Sequence, residues 1–203
     1  MSEKTSTRGR PRAFDRTAAL DAATRVFWQK GFTATSMNDL CEAMGIGSPS
    51  LYAAFGSKEQ LYTEAIRHYG AQGAPQLCDA LESAPTAKLG VEAFLRFSAR
   101  SLACPAGPSG CMVVLSAVAS EGVAGLADMI VEERKRSLKM IEARLQRGIK
   151  EGDLSRETKV KALARFFVTV QQGMSIQARD GASSKELDGV AAMAMGAWPG
   201  GRR

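Results

Sequence analysis

Glycines divide residues 15–61 into short helical segments, which leaves no room for a long helix there. One of these segments lies in GIGSPSLYAAFGSKEQL, residues 45–61, and can hold about two helical turns between Gly47 and Gly56. Its serines and alanines give too little apolar mass for a core helix, yet Leu51 and Phe55 would have no use in a surface loop. The segment therefore predicts a short helix that packs on its neighbours with one side and presents a slim side to a partner.

The rest of the chain also favours helices. Apolar residues recur at helical spacing, with little of the alternation typical of strands, so we predict an all-α protein. The net charge of +6 favours an anionic partner such as nucleic acid. The longest apolar run, residues 111–119, is far shorter than the roughly 20 residues of a membrane-spanning helix. Because the N-terminus has no apolar signal segment either, we expect a cytoplasmic protein whose four cysteines are free thiols.

Capping residues and glycines set the helix bounds in the first third of the chain. They predict helices from Asp15 to Lys30, from Thr35 or Ser36 to Gly45, from Ser48 to Gly56, and from the capping box SKEQ at 57–60 toward Gly70. We expect a looser connector over residues 70–85.

Longer helices are expected in the second half. They cover residues 88–103, 126–150 and a stretch that begins at 160, while 104–111 forms a loop and the apolar stretch 111–119 fits a buried helix. One helix carries apolar residues at alternating spacings of three and four, the pattern of a helix-packing seam: Val160, Leu163, Phe167, Val170 and Met174. The seam can face the chain's own core or a second copy, and periodicity alone does not decide between them.

The second helix, its glycine-containing turn and the third helix have the outline of a helix-turn-helix. In that motif the second of the two helices enters the DNA major groove, which is about 12 Å wide. Small side chains at Ser48, Ser50 and Ala53 suit such an entry, and Tyr52 is long enough to reach a phosphate. Further phosphate contacts are expected at two helix starts, from Ser57 and Lys58 and from Thr35 and Ser36.

Residues 20–61 resemble the N-terminal DNA-binding domain of the TetR/AcrR family of transcriptional repressors. The shared features are A-x-x-x-F at the end of the first helix, K-G-F-x-x-T-S at the junction, A-x-G-I before the turn, and L-Y-x-x-F followed by S-K-E-Q-L. The resemblance implies base contacts from Ser48, Pro49 and Ser50. It implies phosphate contacts from Tyr52, Lys58, Thr35 and Ser36.

The sequence departs from the family pattern inside the motif itself. Gly47 replaces a polar capping residue, and Ser48 stands where lysine or arginine is common. Ala53 and Ala54 occupy positions where the family often has histidines. The recognition helix therefore has no long hydrogen-bonding side chain, and we expect modest direct readout of bases.

A basic N-terminal arm could supply additional contacts. In RGRPR at residues 8–12, Arg8, Arg10 and Arg12 alternate with glycine and proline and could enter a narrow minor groove; the alternative is a solvated tail. We therefore divide the chain into a flexible arm at 1–14, a DNA-binding domain at 15–60 and a helical effector-binding and dimerisation domain at 61–203.

The resemblance also implies a homodimer on a palindromic site, released by a small-molecule effector. The expected dimer contacts are Leu145, Leu163, Phe167, Val170 and Met174. A largely apolar effector is expected among the middle helices, near Phe94, Phe97, Cys104, Cys111, Met112 and Leu115, although each could be plain core.

Two other interpretations remain open. Cys104 and Cys111 flank a proline- and glycine-rich loop and could sense oxidants, electrophiles or a soft metal such as copper(I), or could simply be small buried residues. A helical carrier or an enzyme is the other alternative. The chain has one histidine, His68, and no nucleophile elbow, phosphate loop or metal motif, so we expect neither catalysis nor a cofactor.

Overall fold

The structure is a computed structural model that describes residues 15–116 and 125–200, and all regular elements in these two ranges are helical. The helices, numbered in chain order, are α1 (Arg16–Lys30), α2 (Met37–Met44), α3 (Ser48–Phe55), α4 (Lys58–Glu82), α5 (Ala87–Leu102), α6 (Met112–Leu115), α7 (Leu126–Glu151), α8 (Val160–Arg179) and α9 (Ser184–Ala194). A single 3₁₀ turn, Met195–Ala197, follows α9. The prediction of an all-α protein is confirmed.

The first four helices begin at the residues that the sequence indicated, and the first three also end there. Asp15, Ser36 and Ser57 are the N-caps of α1, α2 and α4, and the last two form complete capping boxes. Gly31 ends α1 with φ 80° and Gly45 ends α2 with φ 66°, values that favour glycine. Local capping chemistry therefore defines the short helices around the turn.

A first core joins α1–α4 to the beginning of α7. The rings of Phe27 and Phe32 meet the ring of Tyr62 edge-on, with centroids 5.0 and 5.1 Å away. Leu61 and Ile66 of α4 are fully buried in this core, as is Ile130 of α7. The first core therefore includes residues on both sides of position 60.

A second core joins the end of α4 to α5, α7, α8 and α9. Leu145, Phe167 and Met174 are at most 1% exposed there. These three residues therefore pack inside their own chain and offer no surface to a second copy, which corrects their expected role as dimer contacts. Leu163 and Val170 are only partly buried.

Helix α4 corrects the expectation of a connector after residue 70. It continues through Gly70, Gly73 and Pro75 to Glu82, although these residues weaken or interrupt helices. Leu81 near its end is fully buried against α5. The close approach depends on Gly90, because a Cβ at that position would lie 2.4 Å from the Leu81 carbonyl oxygen. Packing at the far end of α4 thus outweighs the local propensities.

Helix α6 is shorter than the apolar run 111–119 predicted. It ends at Leu115, because Ser116 turns to an extended backbone with ψ 124°. The Arg134 guanidinium of α7 hydrogen-bonds to backbone carbonyls that would accept from the next turn if α6 continued. Its Nε donates to the oxygen of Val113 at 3.2 Å, and its Nη2 donates to the oxygen of Val114 at 3.0 Å. Residues 117–119 lie outside the described part of the chain.

Candidate nucleic-acid interface

Helix α3 has two faces of different character. Leu51 and Phe55 are buried at 0% and 3% exposure and hold the helix on the first core. Pro49, Ser50 and Ala53 lie on the exposed face, and Tyr52 is 50% exposed beside them. This is the slim, outward-facing side that the sequence predicted.

An arginine of α1 fixes the end of α3. Arg16 Nη2 donates to both carboxylate oxygens of Glu64, at 2.8 and 2.7 Å, and lies 3.4 Å from the carbonyl oxygen of Ala54. Its guanidinium also sits 4.4 Å from the centroid of the Phe55 ring. These contacts join α1, α3 and α4, so α3 presents its outer face from a rigid support.

Ser48 differs from the other predicted base-contacting residues. Its side chain is half-buried, and Oγ lies 3.4 Å from the Cys41 Sγ of α2. Ser48 is therefore partly engaged in the α2–α3 turn. Pro49 and Ser50 stand free of such contacts on the exposed side.

Lys58 and Ser57 lie together at the start of α4. The Lys58 ammonium nitrogen sits 4.4 Å above the Phe32 ring, which orients the side chain without neutralising its charge. Ser57 accepts from the backbone N–H of Gln60 at 3.2 Å. A cation beside a helix N-terminus is an arrangement that can bind a phosphate.

Thr35 does not reach the surface. It is 1% exposed, and its hydroxyl donates to the Gly31 carbonyl oxygen at 2.6 Å. Its side chain therefore stabilises the turn between α1 and α2, which corrects the expectation of a phosphate contact. Neighbouring Ser36 is exposed and accepts from the Asp39 N–H at 3.1 Å.

Asp39 connects that helix start to α1. Its carboxylate accepts from Lys30 Nζ at 2.7 Å and from the Ser36 N–H at 2.9 Å. These hydrogen bonds, with the one from Lys30 the largest influence, lower the pKa of Asp39 to about 2. The start of α2 is thus held by a carboxylate that stays ionised at neutral pH. Arg8, Arg10 and Arg12 lie outside the described residues.

A cleft of about 370 Å³ separates α1 and α4 from the loop that follows α5. Its aromatic wall consists of Trp28 and Tyr69, whose rings meet edge-on with centroids 4.9 Å apart. Trp28 Nε1 donates to the Gly110 carbonyl oxygen at 3.1 Å, which attaches the loop to α1. Cys104 is exposed and lines the cleft.

Polar groups of α1 and α4 also border the cleft. Asp21 accepts from Gln72 Nε2 at 2.9 Å and is hydrogen-bonded to His68 Nε2. The bond to His68 is the largest cause that lowers the pKa of Asp21. Tyr69 shows the opposite shift, since burial, with Cys111 as a second cause, raises its pKa.

The predicted effector contacts lie in different surroundings. Phe94 is fully buried in the second core, whereas Met112 is buried in the first. Phe97 and Leu115 are half-buried. Of the six, Cys104 lines the cleft. Trp28 and the other cleft residues of α1 were not predicted as effector contacts, because they lie within the helix-turn-helix region, far from the middle helices along the chain.

The outer sides of α8 and α9 expose large apolar side chains. Phe166 and Ile176 of α8 are 41% and 50% exposed, and Val190 and Met193 of α9 are 44% and 81% exposed. The two helices pack against each other. Their outward faces form an apolar surface that is separate from the predicted seam, because Phe167 and Met174 of that seam pack inside the second core. We call it the α8–α9 face.

Neither of the two described ranges brings three or more histidine, cysteine or acidic side chains close enough together to hold a metal ion. None of the helices in these ranges is both long and apolar enough to cross a membrane.

Comparison with known proteins identifies clear relatives. Residues 19–65 match the model of "Bacterial regulatory proteins, tetR family". The transcriptional repressor ComR of Escherichia coli strain K12 is 33% identical over 95% of this chain and 92% of its own length. BdcR, another transcriptional repressor of that strain, is 34% identical over 92% of this chain and 90% of its own length.

A solved structure is closer still in sequence. It is a cysteine mutant of the TetR family transcriptional regulator CifR in complex with 26-bp double-strand operator DNA. The match is 42% identical, with a TM-score of 0.88, and covers 94% of this chain and 100% of that one. The agreement therefore includes the C-terminal helices as well as the helix-turn-helix.

Proposed function

The chain belongs to the TetR family of bacterial regulatory proteins, and we propose that it is a homodimeric cytoplasmic repressor that binds a palindromic operator and is released by a small molecule. The observation that carries this proposal is the exposed outer face of α3, held on the first core by Leu51 and Phe55. A helix two turns long with small outward side chains fits the major groove. The operator DNA in the CifR complex supports the same mode of binding.

The phosphate contacts are proposed to flank α3 on both sides. Tyr52 extends from α3 itself, Lys58 lies at the start of α4, and Ser36 lies at the start of α2. Such contacts fix the register of α3 without carrying sequence information. Arg8, Arg10 and Arg12 would add minor-groove contacts, so deletion of residues 1–12 should reduce the salt dependence of operator binding. If the deletion leaves both the salt dependence and the operator affinity unchanged, the arm is not part of the interface.

Dimerisation is proposed through the α8–α9 face. Phe166, Ile176, Val190 and Met193 supply its apolar centre. An exposed apolar surface of this kind is typical of protein–protein interfaces. Leu163 and Val170, which are partly buried, could still contribute at its edge. Pairing two copies there would present two α3 helices to successive major grooves.

The effector is proposed to bind in the cleft between α1 and the loop after α5. Its volume of about 370 Å³ lies in the range of small-molecule sites, and its walls combine aromatic rings with a few polar groups. A ligand there would contact Trp28 of the DNA-binding part and Cys104 of the loop together. Binding of the ligand could thus change the position of α1. It would shift the equilibrium between the DNA-bound and the released conformation by as much as its affinities for the two conformations differ.

A thiol-responsive repressor is the second candidate. The observation in its favour is that Cys104 is exposed on the cleft wall, where a reagent could reach it. Cys111 is half-buried and interacts with the Tyr69 hydroxyl. Modification of Cys104 would place a new group in the same cleft that an effector would fill.

Operator selection tests the proposal. The full chain would be incubated with random-sequence duplexes, and the recovered sequences would be footprinted. We expect a palindrome with half-sites about 10 bp apart or a multiple of that spacing. Tyr52→Ala should weaken binding to all duplexes, whereas Glu157→Ala, an exposed change in the loop between α7 and α8, should not. Failure to enrich any sequence would contradict the proposed function.

A further inference from the structure

The outer face of α3 contains no side chain that can hydrogen-bond a base pair in a bidentate manner. Its exposed residues are Pro49, Ser50, Tyr52 and Ala53. Bidentate readout of guanine needs arginine or lysine, that of adenine needs asparagine or glutamine, and readout of cytosine favours a carboxylate. The helix sequence SPSLYAAF holds none of these. What α3 offers to base edges is two hydroxyls and an apolar surface.

The apolar surface is contiguous. Pro49 and Ala53 are four residues apart on α3, so their side chains are neighbours on one side of the helix. Both are exposed, and exposed Ser50 is three residues before Ala53, so its hydroxyl borders this side of the helix. The arrangement is a strip of a pyrrolidine ring and a methyl group with a hydroxyl at its edge.

The strip is also held in place. Leu51 and Phe55 anchor the opposite side of α3, and Arg16 bonds its end to α4. Pro49 and Ala53 have almost no rotamer freedom to lose on binding. An apolar contact made by such a surface keeps most of its favourable free energy.

One base carries an apolar group on its major-groove edge, namely thymine with its C5-methyl. We propose that Pro49 and Ala53 select thymine by packing on its C5-methyl group in each operator half-site. This inference rests on the proposed function, since it requires that α3 enters the major groove. It explains how a helix without long polar side chains can still distinguish base pairs directly.

Deoxyuridine provides the test, because it pairs as thymine does and lacks only the methyl group. The probe is the selected operator duplex, with each thymine of the half-site replaced by deoxyuridine in turn. At one or two positions we expect binding to weaken about fourfold per half-site, as burial of a methyl group predicts. Such a thymine–adenine pair can also be replaced by a cytosine–guanine pair. The duplex with 5-methylcytosine at this position should then bind more tightly than the duplex with unmethylated cytosine.

A protein variant assigns the methyl contact to α3. Ala53→Gly removes the side chain, so the variant should bind the unmodified operator less tightly and should lose the response to deoxyuridine at the matching position. Ala43→Gly, at an exposed residue of α2, controls for the lower helix propensity of glycine. Circular dichroism of both variants would verify that they fold.

The outcomes separate the two proposals. If the protein selects no duplex, the proposed function fails before any deoxyuridine is used. If it binds the selected duplex and no substitution by deoxyuridine changes the affinity, thymine readout is wrong while the repressor remains. If deoxyuridine weakens the wild type, Ala53→Gly and Pro49→Ala equally, the methyl acts through DNA shape, and the assignment to Pro49 and Ala53 is overturned.

Discussion

Arg179, the last residue of α8, donates from Nη2 to the carbonyl oxygen of Trp28 near the end of α1, at 2.9 Å. Its Nη1 lies 3.3 Å from the carbonyl oxygen of Gln29. A guanidinium at a helix C-terminus satisfies carbonyls that have no partner within the helix and interacts favourably with the helix dipole. The contact joins the proposed dimerisation helix directly to the DNA-binding domain, with Trp28 also on the wall of the cleft.

Replacement of Arg179 should loosen this connection. In Arg179→Met the end of α1 loses a charged cap, so we expect the first and second cores to unfold less cooperatively and operator affinity to fall several-fold. Differential scanning calorimetry would show a broader or split transition. Arg156→Met, in the exposed loop between α7 and α8, is the matched control. A sharp transition and unchanged affinity in Arg179→Met would show that this contact does not couple the domains.

Replacing Gly90 and Gly73 by alanine should change the free energy of unfolding in opposite directions. At Gly90 a new Cβ would lie 2.4 Å from the Leu81 carbonyl oxygen, so Gly90→Ala should lower the free energy of unfolding by about 1–3 kcal/mol. At Gly73, an exposed position of α4 with no neighbouring atom within 4 Å, alanine should raise it by up to about 1 kcal/mol. Urea unfolding measures both, and equal effects at the two sites would contradict the close packing of α4 on α5.

Asp39 should make stability depend on pH in acid. Its pKa is about 2 in the folded protein against 3.8 for the free side chain, so the stabilisation is present above pH 3.8 and is lost as the pH falls toward 2. Asp39→Asn keeps an oxygen that can accept from the Ser36 N–H but loses the ion pair with Lys30. Thermal unfolding across this pH range should therefore depend less steeply on pH in the variant.

The control for this prediction is Asp180→Asn. Asp180 is exposed and makes no ion pair within the described residues. Its replacement should leave the acid dependence of thermal unfolding close to that of the wild type. If thermal unfolding of the wild type and of Asp39→Asn depends on pH equally steeply, the Lys30–Asp39 ion pair is not a source of stability.

The predictions that succeeded were those set by local chemistry. Asp15, Ser36 and Ser57 define helix starts because their side chains bond nearby backbone N–H groups, so a short stretch of sequence suffices to find them. Leu51 and Phe55 were assigned to the buried side of α3 by spacing alone. The outline of a helix-turn-helix predicted the role of α3, and the family resemblance supported that prediction.

The predictions that failed depended on contacts distant along the chain. Gly70 indicated the end of a helix, yet the burial of Leu81 on α5 extends α4 beyond it. Thr35 looked like a surface cap, but its hydroxyl turns back to Gly31. The seam through Phe167 was correctly apolar, although its periodicity could not say whether it faced the chain's own core or a second copy. The cleft combines α1 with a loop about 80 residues later, a pairing that only tertiary structure reveals.

Alkylation tests the thiol alternative. Because Cys104 is exposed on the cleft wall, we expect iodoacetamide to modify it before half-buried Cys41, Cys78 and Cys111, as peptide mass mapping would show. If the cleft controls α1, the alkylated protein should release operator DNA, and Cys104→Ser should resist this release. Cys78→Ser, which alters a half-buried thiol of α4, should behave as the wild type. Release that persists in Cys104→Ser would rule out this residue as the sensor.

The most direct test of the account is the ratio of dissociation constants for an unrelated duplex and the selected operator, measured at moderate salt with the full chain and with Ser50→Glu. For the wild type we predict a ratio of about 1,000 or more, the range of specific DNA-binding proteins. A carboxylate on the exposed face of α3 should reduce that ratio to near one while the circular dichroism spectrum stays unchanged. A wild-type ratio near one, or a ratio that Ser50→Glu leaves intact, would contradict the claim that α3 reads DNA.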